Sequence, residues 1–235
     1  MLGNDLIALI LTFVVALLWL RINDFAAHRG WVSNHLSRKL IHIGTGPLFV
    51  LCWPLFTGSA ASRYLAALVP LLITVQFFLV GIGFIRDPAA VEAMSRSGNP
   101  REILRGPLYY GIVFVLITVF YWYDSPIGII ALMLMCGGDG LADILGRRFG
   151  YAKLPWNPGK SWLGSLGMFA GGWVFAVGVL WVYQGLGHFT GLLPASIFPI
   201  TLIALAGTLV ESLPFRDIDN LTVTLTALVL GHWML

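Results

Sequence analysis

The sequence predicts an all-α integral membrane protein, a polytopic transmembrane helical bundle with a polar site at one interface. Hydrophobic residues make up 58% of the 235 residues, charged residues make up only 11%, and the mean hydropathy is +0.85. A soluble domain carries about 25% charged residues, so this composition excludes the soluble classes. The apolar runs are interrupted by Gly and Pro and favour helices, because a membrane barrel would alternate apolar and polar residues instead.

Eight apolar runs are long enough, or nearly long enough, to cross a bilayer. They cover residues 6–20, 40–56, 64–85, 107–123, 127–136, 162–183, 196–210 and 221–235. A span needs about 20 residues, so the fifth run crosses only if residues 137–145 continue it. Seven spans with a re-entrant fifth segment are the alternative. We predict one membrane domain over residues 1–235, with a retained first span and no transit peptide.

The positive charges test this count independently. If the N-terminus lies outside, the inner loops cover residues 21–39, 86–106, 137–161 and 211–220 and hold every Lys and Arg except Arg63. The positive-inside rule then fits eight spans with both termini outside. All acidic residues except Asp5 and Asp124 lie in the same inner loops. Positive-inside bias does not explain acids, so we expect a polar active site on the cytoplasmic face.

The segment 137–165, GGDGLADILGRRFGYAKLPWNPGKSWLGS, concentrates charge between two apolar runs. If the helix of the fifth run continues, Asp139, Asp143 and Arg147 are spaced four residues apart and share one face. Charges beside a membrane core are costly, so function is their default explanation. The glycines at 137, 138, 140, 146 and 150 predict that a ligand approaches the backbone closely.

Lys160 and Ser161 begin the next helix after residues 153–160, which contain Pro155, Pro158 and Gly159 and are predicted to form an ordered loop. The free backbone N–H groups and positive dipole of a helix N-terminus favour a phosphate. With two acids for a divalent metal and several cations, the whole segment predicts a site for a metal-bound polyphosphate. In the helix that follows, Gly164, Gly167 and Gly171 predict close packing against another helix.

Two further clusters lie in other inner loops. Arg38 and His42 are four residues apart and share a helix face; Arg38 and Lys39 are either interfacial anchors or site residues, and His42 is either packed or catalytic. The acids of residues 211–220 favour a site role, with capping of the last helix by Asp219 or Asn220 as the alternative. Cys52 and Cys136 lie in or beside apolar runs and are interpreted as packing residues.

Five sequence blocks spread over nearly the whole chain resemble one family. They are SRKLIH at 37–42, REILRGPLYY at 101–110, GDGLADILGRRFG at 138–150, KLPWN with KSWLGS at 153–157 and 160–165, and ESLP with DNLTV at 211–214 and 219–223. The chain resembles the phytol kinases of the polyprenol kinase group, which includes dolichol and farnesol kinases and is distantly similar to CDP-diacylglycerol synthases. It departs from the family where Ile218 separates Asp217 from Asp219, since the family often has two adjacent acids there.

The resemblance implies a CTP-dependent kinase that phosphorylates a long-chain isoprenoid alcohol, most simply phytol to phytyl phosphate for tocopherol and prenyl-lipid synthesis and phytol salvage. It implies Mg²⁺ as cofactor, bound by Asp139 and Asp143, and a candidate general base among Glu211, Asp217 and Asp219. The residues implied to bind the nucleotide and its phosphates are Arg147, Arg148, Lys153, Lys160 and Ser161, with Arg38, Lys39 and His42 closing the far side.

Two other functions are weighed against this one. A cytidylyltransferase would use the same nucleotide and metal chemistry but would make a CDP-lipid from a lipid phosphate and release pyrophosphate. A small membrane transporter is disfavoured, because its charges would lie near the middle of broken spans rather than at one interface. The expected partners are the alcohol, CTP and the bilayer, and no nucleic acid. The expected location is a bacterial inner or thylakoid-type membrane.

Overall fold

The computed structural model describes residues 3–95, 97–215 and 218–235. The α-helices are α1 (Asp5–His28), α2 (Asn34–Cys52), α3 (Ser62–Gly81), α4 (Pro88–Met94), α5 (Gly106–Phe120), α6 (Pro126–Met133), α7 (Asp139–Phe149), α8 (Trp162–Gly185), α9 (Leu192–Ser212) and α10 (Asp219–Met234). Short 3₁₀ turns cover Trp53–Leu55, Pro100–Leu104 and Trp122–Asp124, and a π-helical turn covers Leu134–Gly138. Two strands, β1 (Lys153–Leu154) and β2 (Asn157–Ser161), complete the elements.

The all-α membrane architecture is confirmed. Helices form in all eight predicted runs, and six of them are long and apolar enough to cross a membrane. The fifth run does continue, since one helical stretch of 24 residues covers Pro126–Phe149 and includes the π-helical turn. The two helices outside this set are α2, whose first turns carry polar residues, and α10, which has 16 residues where a span needs about 20.

The chain divides into two compact units. Unit 1 comprises residues 1–41 and 52–122, and unit 2 comprises residues 42–51 and 123–235, so the residues of α2 are shared between them. In unit 1, α3 packs against α1 and α5. The carboxylate of Asp5 accepts hydrogen bonds from the Thr57 backbone N–H and the Ser62 hydroxyl, both at 2.7 Å, which fastens the start of α1 to the loop before α3. The prediction of one domain stays a prediction.

Unit 2 is built around the helical stretch Pro126–Phe149. Its residues Ile129, Ile130, Leu132 and Leu134 are fully buried, and it packs against α8 and α10. A side chain at Gly167 would come within 2.9 Å of the Leu141 carbonyl oxygen, and one at Gly171 would overlap the Gly137 carbonyl. The predicted close packing along the glycines of α8 is therefore confirmed, and α7 is its partner.

The same contacts correct the interpretation of the other glycines. A Cβ at Gly137 would lie 2.7 Å from the Phe175 ring, one at Gly138 would lie 2.7 Å from the Met168 sulfur, and one at Gly146 would lie 3.3 Å from Gly164. A Cβ at Gly140 would overlap Ile43, and one at Gly150 would overlap Ser161. The prediction that these glycines admit a ligand is wrong, because neighbouring protein segments already occupy the space beside them.

Residues 153–161 form more than the predicted ordered loop. β1 and β2 pair in antiparallel fashion, with Lys153 opposite Ser161 and Leu154 opposite Asn157. Sequence patterning did not indicate these strands, because β1 has two residues and β2 contains Pro158 and Gly159, which are depleted from strands. The hairpin places Lys160 at the start of α8, one residue before the capping residue Ser161.

Candidate active site

One face of α7 carries the charged residues that the sequence spacing predicted. The helix covers Asp139–Phe149, so Asp139, Asp143 and Arg147 follow one another at successive turns. The Nε of Arg147 donates a 2.7 Å hydrogen bond to Oδ1 of Asp143, and the arginine side chain is 57% exposed. Asp143 is thus held by a neighbour on its own helix, and its side chain is 19% exposed.

Asp139 is held from a second helix. Nε2 of His42, on α2, lies 3.2 Å from Oδ2 of Asp139 and 3.3 Å from the backbone oxygen of Met135 in the π-helical turn. The histidine and aspartate side chains are 17% and 21% exposed. A π-helical turn is rare and often marks a functional site, and here it ends one residue before Asp139.

Lys160 and Glu211 form an ion pair between the hairpin and the end of α9. The Lys160 ammonium group donates both to Oε1 of Glu211 and to the Glu211 backbone oxygen. The glutamate side chain is only 6% exposed, whereas the lysine is 23% exposed. The second carboxylate oxygen of Glu211, Oε2, is buried and accepts no hydrogen bond from the described residues. A buried carboxylate oxygen in this state is an open acceptor position.

Asp219, the first residue of α10, belongs to the same group of charges. The carboxylates of Asp139 and Asp219 both interact electrostatically with Glu211. We call Asp139, Glu211, Asp219 and Lys160 the acidic cluster; its members come from α7, α9, α10 and β2. The carboxylates of Asp139 and Asp219 both disfavour a negative charge on Glu211, whereas the Lys160 ammonium group favours it, and a cation bound nearby would favour it further. Oδ1 of Asp219 also accepts from the Asn220 backbone N–H at 3.2 Å. No side-chain hydrogen bond from the described residues caps the start of α10, so the alternative role of helix capping is not confirmed.

Sequence reasoning assigned no role to the residues that attach the hairpin to α9. Nε1 of Trp156 donates to the Ser212 hydroxyl at 3.2 Å, and Nδ2 of Asn157 donates to the Ser212 backbone oxygen at 3.0 Å. These contacts lie beside the Lys160 to Glu211 pair and hold β2 against the end of α9. No local pattern predicted them, because more than fifty residues separate the partners in sequence.

The remaining predicted phosphate ligands of unit 2 lie around the hairpin and α7. Arg148 and Lys153 are exposed, and the Arg148 guanidinium lies 5.3 Å from the centre of the Phe149 ring. Ser161 is buried, and its hydroxyl accepts from the Gly164 backbone N–H at 3.1 Å, so it caps α8. Its predicted phosphate contact stays a prediction.

The other predicted residues lie in unit 1 or outside the described residues. Arg38 and Lys39 are half-buried in the first turns of α2, where a guanidinium nitrogen of Arg38 donates to the Ser95 backbone oxygen at 3.1 Å. Their phosphate role stays a prediction. Asp217, one of the three candidate general bases, lies outside the described residues.

The donor set of the site fits Mg²⁺. Mg²⁺ prefers oxygen ligands, and it usually binds through one or two carboxylates together with waters and substrate phosphates. Asp139 and Asp143 offer two carboxylates one helical turn apart, and both side chains are partly exposed. Within residues 3–95, 97–215 and 218–235, no group of three or more His, Cys, Asp and Glu side chains is arranged to hold a metal ion. Phosphate oxygens would therefore have to complete the coordination.

Comparison with known proteins finds close relatives along the chain. It is 41% identical over 231 residues to probable phytol kinase 1, chloroplastic, of Oryza sativa subsp. japonica, covering 97% of this chain and 74% of the relative. It is 40% identical over 206 residues to phytol kinase 1, chloroplastic, of Arabidopsis thaliana, covering 87% and 68%. It is 40% identical over 230 residues to farnesol kinase, chloroplastic, of the same plant, covering 97% and 75%. No family model and no solved structure matches the chain.

These relatives correct the expected location. The sequence predicted a bacterial inner or thylakoid-type membrane with the site facing the cytoplasm. The relatives are plant proteins that carry chloroplastic in their names, so that prediction is wrong. Hydropathy indicates that a chain spans a membrane, and the distribution of Lys and Arg indicates the side on which its loops lie. Neither identifies the membrane, which is why the prediction failed.

Proposed function

Because the chain belongs to the family of the phytol and farnesol kinases, we propose that it phosphorylates the hydroxyl group of a long-chain isoprenoid alcohol. Phytol is the proposed acceptor and CTP the proposed donor of the γ-phosphoryl group. The names of the relatives support a kinase with an isoprenoid alcohol as acceptor. CTP is proposed as the donor because of the sequence resemblance to the phytol kinases.

The triphosphate is proposed to lie between the exposed cations of α7 and the hairpin. Phosphoryl transfer needs positioning and neutralisation of charge on the phosphate oxygens more than covalent help from the protein. Arg147, Arg148 and Lys153 are exposed and can reach a phosphate from the aqueous side. Lys160 completes the proposed phosphate ligands of unit 2. The phosphate contacts expected from the sequence for Ser161, Arg38, Lys39 and His42 stay predictions.

Asp139 and Asp143 are proposed to hold Mg²⁺. When bound there, the ion would neutralise charge on the phosphate oxygens and orient them. The excess of carboxylates in the acidic cluster supports this role, since a divalent cation would offset the repulsion among them. In the proposed site, His42 and Arg147 hold the two aspartates, which reduces the number of side-chain conformations each one samples.

Glu211 is proposed as the acceptor of the alcohol's proton. The observation that carries this choice is the buried Oε2, which accepts no hydrogen bond from the described residues while Oε1 is paired with Lys160. A hydroxyl group donating to Oε2 would fill the open acceptor position. As its oxygen attacks the γ-phosphorus, the proton passes to the carboxylate, the bond between the γ-phosphorus and the β–γ bridging oxygen breaks, and CDP leaves. Asp219 is less suited, because its Oδ1 already accepts from the Asn220 backbone N–H and its side chain is less buried.

The acidic cluster lies at helix ends, as a lipid substrate requires. Glu211 is in the last turn of α9, a helix long and apolar enough to cross a membrane, and Asp219 begins α10. An isoprenoid chain can remain in the hydrocarbon region while its hydroxyl group reaches such a site at the interface. The half-buried cluster therefore suits an alcohol that approaches from the bilayer and a nucleotide that approaches from water.

The test is a transfer assay with purified protein in detergent. Phytol, Mg²⁺ and each of the four nucleoside triphosphates, labelled at the γ-phosphate, are incubated with the protein and the label in the lipid is counted. Labelled phytyl phosphate formed fastest with CTP is the expected result. Farnesol in place of phytol measures preference for the acceptor.

Two controls separate the alternatives. Glu211→Gln keeps the size of the side chain and should lose transfer, so label that moves equally well with this variant would come from a contaminant or another mechanism. A lipid phosphate replaces the alcohol in a parallel reaction, where formation of a CDP-lipid and pyrophosphate would identify a cytidylyltransferase. The kinase proposal would be overturned if none of the four nucleotides transferred label to phytol or farnesol while the lipid phosphate was converted to a CDP-lipid.

A further inference from the structure

His42 occupies an unusual position between two oxygen atoms. Its Nε2 lies 3.2 Å from Oδ2 of Asp139 and 3.3 Å from the backbone oxygen of Met135. Both oxygens are acceptors only, because one belongs to a carboxylate and the other to a peptide carbonyl. A bare nitrogen lone pair facing both would be repelled, so Nε2 must carry the hydrogen.

The backbone around Asp139 explains how this arrangement arises. The π-helical turn Leu134–Gly138 changes the hydrogen-bonding register of the helix, so its carbonyl groups do not follow the regular α-helical ladder. Nε2 of His42 lies between the carbonyl of Met135 and Oδ2 of Asp139, so its single hydrogen is shared between these two oxygens. The histidine thus links the irregular turn to the first residue of α7.

A glycine brings the histidine close enough. A Cβ at Gly140 would overlap the side chain of Ile43, so the residue after His42 packs directly against the residue after Asp139. Ile43 and Gly140 are both buried. The contact between His42 and Asp139 is therefore set by backbone packing rather than by a flexible surface side chain.

We propose that His42 is a positioning residue that orients the Asp139 carboxylate as a ligand of a divalent cation. This inference rests on the proposed function, in which Asp139 binds the metal that accompanies the nucleotide. By occupying Oδ2 on one side, the Nε2–H group fixes the rotation of the carboxylate and directs its remaining lone pairs. Groups that hold a metal ligand in this way raise affinity without touching the metal.

This role differs from the phosphate contact predicted for His42 from sequence, and the two make different predictions for CTP binding. A positioning residue changes only the gain in CTP affinity that Mg²⁺ produces. A phosphate ligand changes CTP affinity by the same factor with and without Mg²⁺. The discriminating quantity is therefore the ratio of the CTP dissociation constants measured without and with Mg²⁺, in the absence of an alcohol.

Three variants are compared. His42→Leu removes the N–H donor, whereas His42→Gln and His42→Asn replace it with the N–H donor of a side-chain amide. The glutamine amide nitrogen is the same number of bonds from the backbone as Nε2 of histidine, whereas that of asparagine is one bond closer. His42→Leu should lower the Mg²⁺-dependent ratio by about 10-fold to 100-fold, the usual effect of losing a residue that orients a metal ligand. His42→Gln should restore most of the ratio and His42→Asn should not. His232→Leu, at an exposed histidine of α10, is the matched control.

The result that would overturn the proposal is a His42→Leu variant whose ratio equals that of the wild type, whether or not CTP binds more weakly overall. If the leucine variant does not fold, equal ratios for the glutamine and asparagine variants overturn it instead. In the Asp139→Asn background, His42→Leu should have no additional effect on the ratio, because the carboxylate that it orients is gone. If the wild-type protein binds CTP without any dependence on Mg²⁺, the proposed metal role itself fails, and this outcome is distinct from the failure of the histidine alone.

Discussion

The Lys160 to Glu211 pair gives a stability prediction with a definite order among three variants. Glu211 is 6% exposed and Lys160 is 23% exposed, so removing the lysine leaves a buried carboxylate unpaired, whereas removing the carboxylate leaves a lysine that reaches water. Loss of one partner of a buried pair costs about 3–5 kcal/mol, and we take the lower end because Lys160 is partly solvated. Lys160→Met should therefore cost about 3 kcal/mol. Glu211→Gln should cost about 1–2 kcal/mol, the range for a neutral acceptor that replaces a charged one.

The double variant is the sharper part of this prediction. Lys160→Met with Glu211→Gln contains no buried unpaired charge, so it should be more stable than Lys160→Met alone even though it has one more substitution. Thermal unfolding of the detergent-solubilised proteins measures the order, and about 3 kcal/mol corresponds to roughly 6–12 °C for a chain of this size. The reasoning is refuted if Lys160→Met unfolds at the wild-type temperature, or if the two substitutions lower the temperature additively.

Three more variants test separate parts of the structure. Asp139→Asn should abolish phosphoryl transfer in a protein that still inserts and folds, and full turnover would remove the metal assignment. Gly140→Ala should destabilise the protein by about 1–3 kcal/mol through overlap with Ile43; thermal unfolding should show partial rescue by Ile43→Ala, and no rescue would place the strain elsewhere. Ser161→Ala removes the cap of α8 and should cost about 1 kcal/mol with little loss of transfer, whereas a large rise in the KM for CTP would favour the phosphate contact instead.

The helices were predictable because the length of an apolar run and the Lys and Arg residues beside it can be recognised within one continuous stretch of sequence. The segment 137–145 continues the fifth run, and its spacing predicted that Asp139, Asp143 and Arg147 share a face of α7. The π-helical turn was not predictable from this spacing, because it depends on packing of Gly137 and Gly138 against α8 rather than on a residue pattern. The same dependence misled the interpretation of the glycines, since a missing side chain fits a ligand and a neighbouring helix equally well.

The composition of the site was easier to predict than its contacts. Each acidic or basic segment stood out against an apolar background, which identified Asp139, Lys160 and Glu211 separately. That Lys160 pairs with Glu211, and that the hairpin rests on Ser212, depends on tertiary packing between segments about fifty residues apart. A single sequence does not show which distant residues pair. The buried Oε2 of Glu211 and the position of His42 Nε2 between two oxygens therefore became visible only in the structure.

The acids in the loops rich in Lys and Arg have two causes, not the single one that the sequence suggested. Oδ1 of Asp87 accepts from the Ala90 backbone N–H and caps α4, and Glu102 accepts from the Ser97 backbone N–H and hydroxyl group. These acids stabilise loop structure in unit 1 and need no substrate to explain them. In unit 2, by contrast, the carboxylates of Asp139 and Asp219 disfavour the charge of the buried Glu211. Helix capping also does not account for the buried Oε2 of Glu211, which accepts no hydrogen bond from the described residues. An arrangement that costs free energy in the unliganded protein is one that a bound cation and a donated hydroxyl proton would relieve, which is why unit 2 rather than unit 1 is assigned the chemistry.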